Sequence, residues 1–250
     1  MPAPMISYQL YSSRNFPTLE RQLKMLQKIG FQHVEPFGGL FADVPALRDG
    51  LAKNGLTAPS AHLGIQSLRD DFPGTMTRVK SLGIDLAIIP AVPPAERVQD
   101  RAGWEALGRE LAEYARRAAD LGLRFAWHNH HFEFARLPDG AMPLDLILGT
   151  EEKLLWQVDI AWAIRGGQDP VEWINRYAPR VASFHVKDLA PEGENAVEDG
   201  WEDVGYGRLD WTALLAAMRA TPATIYTLEH DNPTDDERFA KRSFATVKGW

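Results

Sequence analysis

The chain contains no cysteine, so disulfides and thiolate metal sites are both excluded. No apolar run approaches the ~18 residues a membrane-spanning helix needs, so none is expected. The start, Met1-Pro2-Ala3-Pro4-Met5, lacks a basic segment followed by an apolar one. A secretory signal is therefore not expected. Positive charge is in deficit: 27 Lys and Arg against 34 Asp and Glu give a formal net charge of −7. That balance argues against a nucleic-acid surface, which needs clustered cations. A Gly-rich phosphate loop after the first apolar run is also missing. Tyr8-Gln9-Leu10-Tyr11-Ser12-Ser13 stands there instead, which argues against an open doubly wound nucleotide-binding sheet. These absences lead us to expect a cytoplasmic protein that binds neither nucleic acid nor membrane. Self-association is left open.

What is present is a recurring junction of helix, glycine and apolar strand. It occurs at Leu26 to Phe31, Leu51 to Leu56, Val79 to Ile84 and Ala119 to Leu123. Glycine after a last helical turn accepts the left-handed conformation that ends a helix without a Cβ clash. Reading outward from these junctions predicts eight strands near 5–10, 31–35, 57–62, 85–90, 124–130, 154–159, 181–187 and 224–229. Helices are predicted near 17–29, 43–54, 72–82, 102–121, 143–149, 170–177, 210–220 and 234–248. Eight such units in 250 residues, without a break in composition, predict a single-domain (β/α)8 barrel over residues 1–250. The acidic stretch 188–209 has no periodic pattern. It reads either as a lid over the carboxyl face of the barrel or as a solvated excursion.

Four polar residues close predicted strands five to eight: His128, Asp159, His185 and Glu229. In a barrel the carboxyl ends of the strands face one pocket, where such folds do their chemistry. Two imidazoles and two carboxylates there make a divalent-cation site. Mn2+, Zn2+, Co2+ and Fe2+ suit that donor set better than Mg2+, which prefers oxygen alone. His130 shares the face of His128, and Lys187 that of His185, because side chains alternate along a strand. Glu35 and His62 hold the corresponding ends of strands two and three.

The stretches Trp127-His128-Asn129-His130-His131-Phe132-Glu133-Phe134, Val158-Asp159-Ile160-Ala161-Trp162, Phe184-His185-Val186-Lys187-Asp188 and Leu228-Glu229-His230-Asp231 resemble the xylose isomerase-like barrels. That superfamily comprises sugar isomerases, epimerases and related lyases, and also endonuclease IV. The resemblance implies one divalent cation, most often manganese, held by Asp159, His185, Glu229 and a residue of strand five. At that fourth position the family has glutamate where this chain has His128. The change lowers the ligand charge and removes one of the two carboxylates that pass the proton in many epimerases.

The resemblance thus implies a metal-dependent isomerase or epimerase enolising a keto-sugar or cyclitol, with a small-molecule carbohydrate as its partner. The alternative is a lyase or dehydratase acting on a 3-keto-glycoside or an inosose. Glu229 is the expected base. His130, Glu133 and Lys187 are candidates for the second acid or base, and Glu35, His62, Trp162 and Lys187 for substrate contacts. A nuclease like endonuclease IV fits poorly, because the early strands lack His and Glu for a three-zinc cluster. A non-catalytic barrel is the remaining class.

Overall fold

The computed structural model describes residues 4–97 and 100–250. Residues 1–3, part of the stretch read for a secretory signal, lie outside them. Eight parallel strands form the barrel: β1 (Met5–Gln9), β2 (His33–Glu35), β3 (Ser60–His62), β4 (Leu86–Ile89), β5 (Arg124–His128), β6 (Leu154–Asp159), β7 (Val181–Val186) and, after a small hairpin, β10 (Ile225–Leu228). Their order is β2-β1-β10-β7-β6-β5-β4-β3. The remaining seam, β2 against β3, is joined by a parallel bridge from His33 to Thr57 and by His62 N donating to Pro36 O. The expected (β/α)8 barrel is what forms.

The helices are α1 (Leu19–Ile29), α2 (Val44–Lys53), α3 (Ile65–Ser81), α4 (Arg101–Asp120), α5 (Pro143–Leu148), α6 (Ile160–Arg165), α7 (Pro170–Arg176), α8 (Trp211–Arg219) and α9 (Asp236–Val247). Their ends follow local chemistry. Thr18 caps α1 by accepting from Arg21 N, and Gly30 ends it at φ 114°. In α4, Trp104, Leu107, Leu111, Tyr114 and Ala118 form the buried face, as their helical spacing predicts. Gly108 on that face lets α5 approach: a Cβ there would lie 2.7 Å from Thr150 Cγ2. None of the helices described is long and apolar enough to cross a membrane.

Two elements differ from expectation near α3 and α6. Helix α3 starts at Ile65 rather than 72, because it kinks at Asp71, just before Pro73. Asp71 Oδ1 accepts Gly74 N at 2.9 Å and so restarts the helix. Helix α6 was not expected at all, since it starts directly from the last strand residue, Asp159, with no intervening loop to mark a boundary.

The interior alternates. The lower barrel is apolar, with Leu86, Ile88, Ala126, Ala182 and Ile225 in one cluster. Above it the inward positions turn polar: Gln9, Glu35, Ser60, His62, His128, Gln157, Asp159, His185, Lys187 and Glu229, all buried. They recur at every second residue of their strands, as inward-facing positions must. The outward neighbours Tyr8, Val34, Ala61, Trp127, Trp156, Val158, Phe184 and Leu228 pack under the helices.

The stretch 188–209 is anchored at both ends, with Pro191 to Glu194 exposed between. Asp188–Leu189 (β8) and Trp201–Glu202 (β9) form an antiparallel hairpin. Trp201 and Asp203 are buried, and Glu198 accepts from Thr234 N and Arg238 Nη2 at 2.6 and 2.8 Å. These contacts tie the segment to α9 and bring Trp201 over the strand ends.

Candidate metal centre

The site grows from the last turn of each strand. Asp159 ends β6 and also caps α6: its Oδ1 accepts Trp162 N at 2.8 Å. That bond fixes the carboxylate and leaves Oδ2 buried, without a hydrogen-bond partner among the described residues. Asn129 secures the same corner, taking Asp159 N at 3.0 Å and Trp156 Nε1 at 2.9 Å on its Oδ1.

His185 stands at the centre. Its Nδ1 lies 2.8 Å from Glu229 Oε2 and 3.9 Å from Asp159 Oδ2, and its Nε2 lies 2.6 Å from Glu35 Oε1. Burial alone would lower its pKa, but the carboxylates of Glu229 and Glu35 outweigh that and raise it to about 10. For Glu229, burial is overcome by Lys187 and His185, which hold it well below the usual carboxylate range. Glu229 is therefore ionised at neutral pH. Its Oε2 faces His185 and Lys187, whereas no hydrogen bond engages Oε1 among the described residues, and Glu229 lines the pocket.

Gln157 sets the histidine tautomers. Its Nε2 donates to Glu35 Oε2 at 3.0 Å, so its Oε1 must be the acceptor toward His62 Nε2 at 2.6 Å and His128 Nδ1 at 3.0 Å. Both imidazoles then donate to Gln157, which leaves a lone pair on His62 Nδ1 and on His128 Nε2. Burial, then neighbouring charge, pushes His128 well below its ordinary pKa, and burial pushes His130 down to about 3. His62 is lowered too, again chiefly by burial. All three are uncharged at neutral pH.

One atom each from Asp159, His185 and Glu229 lie within 4.8 Å of one another, as do atoms from His62, His128 and His185. The first set is the expected one without His128, which sits beside it in the second. A buried carboxylate oxygen that accepts no hydrogen bond among the described residues, and has only the Lys187 ammonium within ion-pair distance at 3.2 Å and His185 at 3.9 Å, fits a divalent cation within this mixed imidazole and carboxylate set. The pocket above encloses about 370 Å3 and is lined by Tyr11, Phe37, His62, His128, His130, Glu229 and Asp231, among others. A larger groove of about 820 Å3 between α1 and α9 contains none of the strand-end residues.

Four of the expected residues are engaged by neighbouring groups of the protein. Glu35 does not reach the pocket: its oxygens accept from Gln9 Nε2, Ser60 Oγ, Gln157 Nε2 and His185 Nε2. Lys187 has no exposed surface, and its Nζ lies 2.8 Å from Glu229, 2.8 Å from Asp231 and 3.2 Å from Asp159. Trp162 covers Lys187, with Nζ 5.3 Å from its ring centroid, and packs against His130 at 5.4 Å between ring centroids. Glu133 folds back in a short turn, accepts His130 N at 2.9 Å and is fully buried. The residues missed by sequence reading are Gln9, Ser60, Gln157 and Asp231. Gln157 had a readable signal: a polar residue two before Asp159 in an otherwise apolar strand.

Burial pushes the Glu133 carboxyl from its ordinary 4.5 up to about 8. Its Oε1 has no hydrogen-bond partner among the described residues. The folded state therefore holds the proton more tightly than the unfolded one. The resulting stability is complete below about pH 4.5 and is lost as pH rises through about 8. Glu133→Gln keeps the acceptor for His130 N and has no charge to bury. It should make the protein about 1–3 kcal/mol more stable at pH 8 and little changed at pH 4.5. Urea unfolding at the two pH values checks this, and a difference that does not grow with pH counts against it.

Comparison with known proteins places the chain among relatives. The family model described as "Xylose isomerase-like TIM barrel" matches residues 23–248. The chain is similar to an inosose dehydratase of Geobacillus kaustophilus, 26% identical over 230 residues that cover 82% of this chain and 71% of that protein. In other curated relatives the aligned stretch spans only 28% to 42% of their length. Among solved structures, the fold resembles a sugar phosphate isomerase/epimerase from Parabacteroides distasonis. That pair has TM-score 0.78 and 19% identity, covering 98% of this chain and 93% of that one. It also resembles the zinc-bearing IolI protein, with TM-score 0.76 and 15% identity over 98% of this chain and 95% of that one.

Proposed function

The chain belongs to the xylose isomerase-like TIM barrel family, and on that premise we propose a divalent-metal-dependent enzyme that enolises a keto-sugar or keto-cyclitol. Loss of water from an inosose-like ring is the outcome its site suits best. Isomerisation or epimerisation through the same enolate is the second reading.

The carrying observation is the asymmetry of the pocket. Glu229 presents one unengaged, ionised carboxylate oxygen, while Asp231 is tied to Lys187. Opposite them stand three uncharged imidazoles, His62, His128 and His130. A two-base epimerase wants a second carboxylate near strand five, where this chain has His128. Elimination needs one base and one group that can hand a proton to the departing hydroxyl. In this reading Glu229 takes the proton from carbon next to the carbonyl, breaking the C–H bond. His130 delivers a proton to the hydroxyl leaving from the next carbon, water departs, and the proton taken up by Glu229 restores the imidazole. A neutral imidazole can do this because it carries an N–H without a buried charge.

Asp159, His185 and Glu229 would hold the cation, with the lone pair of His128 Nε2 available beside them. Bound there, it would supply Lewis acidity toward adjacent substrate oxygens. Mn2+ is our first choice, with Zn2+, Co2+ and Fe2+ compatible. The name carried by the Geobacillus relative, and the zinc of the IolI structure, are in keeping with this reading.

Incubation with Mn2+ and a panel of inososes, ketoses and 3-keto-glycosides in D2O separates the branches. Water release with a new conjugated product is expected on an inosose. Deuterium exchange at carbon without elimination would move the assignment to isomerase or epimerase. If no substrate exchanges or eliminates, the enolisation chemistry is wrong.

A further inference from the structure

Lys187 is the feature that the proposed chemistry leaves unused. Its ammonium is fully buried in a cup of three carboxylates and hydrogen bonds to Asp231 Oδ2 at 2.8 Å. It also lies 2.8 Å from Glu229 Oε2 and 3.2 Å from Asp159 Oδ2. The indoles of Trp201 and Trp162 cover it, with Nζ 4.7 and 5.3 Å from their ring centroids. A cation flanked by acids and aromatic faces is well held.

The two oxygens it shares are the ones a divalent ion would need. Asp159 has no other oxygen to offer, because Oδ1 is committed to Trp162 N. Glu229 Oε2 is already shared between His185 Nδ1 and the ammonium. A metal–oxygen bond of about 2.1 Å to these atoms would bring the ion and the ammonium into direct charge repulsion at short range in a buried site. Asp231 offers one exit. Asp231 is the third carboxylate, is 24% exposed on its side chain and lines the pocket. An ammonium that keeps Asp231 and releases Asp159 and Glu229 stays paired throughout.

We propose that Lys187 is a built-in competitor for the cation position formed by Asp159, His185 and Glu229, and that a divalent ion binds by driving the ammonium across to Asp231. Lys187 thereby sets how tightly the site holds metal, and Asp231 is the residue that receives it. The inference rests on the metal-dependent reading above.

The test is calorimetric titration of metal-stripped protein with Mn2+ and with Zn2+, alongside thermal unfolding with and without the ion. Wild type binds one ion. Lys187→Met should bind about tenfold tighter or better, because the competing charge is gone. Asp231→Asn should weaken binding by about tenfold in the wild-type background, since the ammonium loses its place of retreat. In the Lys187→Met background the same change should matter by less than about threefold, and this non-additivity separates relocation from a lysine that stays beside the ion. Equal affinity of wild type and Lys187→Met would overturn the inference while leaving the metal site standing. An Asp231→Asn effect of the same size with and without Lys187 would overturn it too. If Lys187→Met does not fold without metal, Asp231→Asn alone decides, and unchanged affinity refutes the exchange. Absence of ion binding in every variant would refute the metal reading and this inference with it.

Discussion

Glu229→Gln should lower turnover by about 10²- to 10⁴-fold on whichever keto-sugar or keto-cyclitol proves to be the substrate, the usual range for loss of a positioned base. The substitution keeps the shape of the side chain and a carbonyl that can accept from His185. It removes the negative charge that Lys187 and His185 stabilise and the basic oxygen facing the pocket. The loss should fall mainly on kcat, because proton abstraction belongs to the transition state and not to ground-state binding. Assays at saturating Mn2+ separate this from weaker metal binding, since one ligand charge is lost as well. A kcat within about threefold of wild type would remove Glu229 from the role of base.

Glu35→Ala should cost the fold about 3–5 kcal/mol, the range for stripping one partner from a buried charged network. Glu35 has no exposed surface and satisfies four donors from four other strands: Gln9 on β1, Ser60 on β3, Gln157 on β6 and His185 on β7. Alanine would leave all four donors without an acceptor and take away a counter-charge of His185. Activity should fall further than stability explains, because Gln157 and His185 would no longer be held in register beneath the pocket. Chemical denaturation gives the first quantity, and assays well below the melting temperature give the second. A destabilisation under about 1 kcal/mol would mean that water or a neighbouring group replaces the carboxylate. Both results together would identify Glu35 as a positioning residue that acts through His185 and Gln157.

Glu229 and Glu35 both depend on partners far away in the chain. The strands and most helices were legible because their signals are local. Gly30 ends α1 by its own backbone freedom, and Trp104 to Ala118 show a helical stripe without reference to anything else. The strand-end residues His128, Asp159, His185 and Glu229 were legible for the same reason: each breaks an apolar run of its own strand. Helix α6 escaped because it runs straight on from Asp159 without a loop, and the β8–β9 hairpin because two paired dipeptides are too short to show a period. The hairpin is held instead by Glu198 reaching Thr234 and Arg238 on another element.

The sequence alone determined the barrel, the strand ends that form its pocket and the types of donor gathered there, because alternation and capping act within about ten residues. Only the tertiary structure decided which of those groups touch. Closure of the barrel set Glu35 against His185 and His62 against Gln157, placing a histidine tautomer under the control of an amide on another strand. It also put the Lys187 ammonium among three carboxylates from the ends of two neighbouring strands. Electrostatic partnership depends on distance in space, and no local pattern carries that distance.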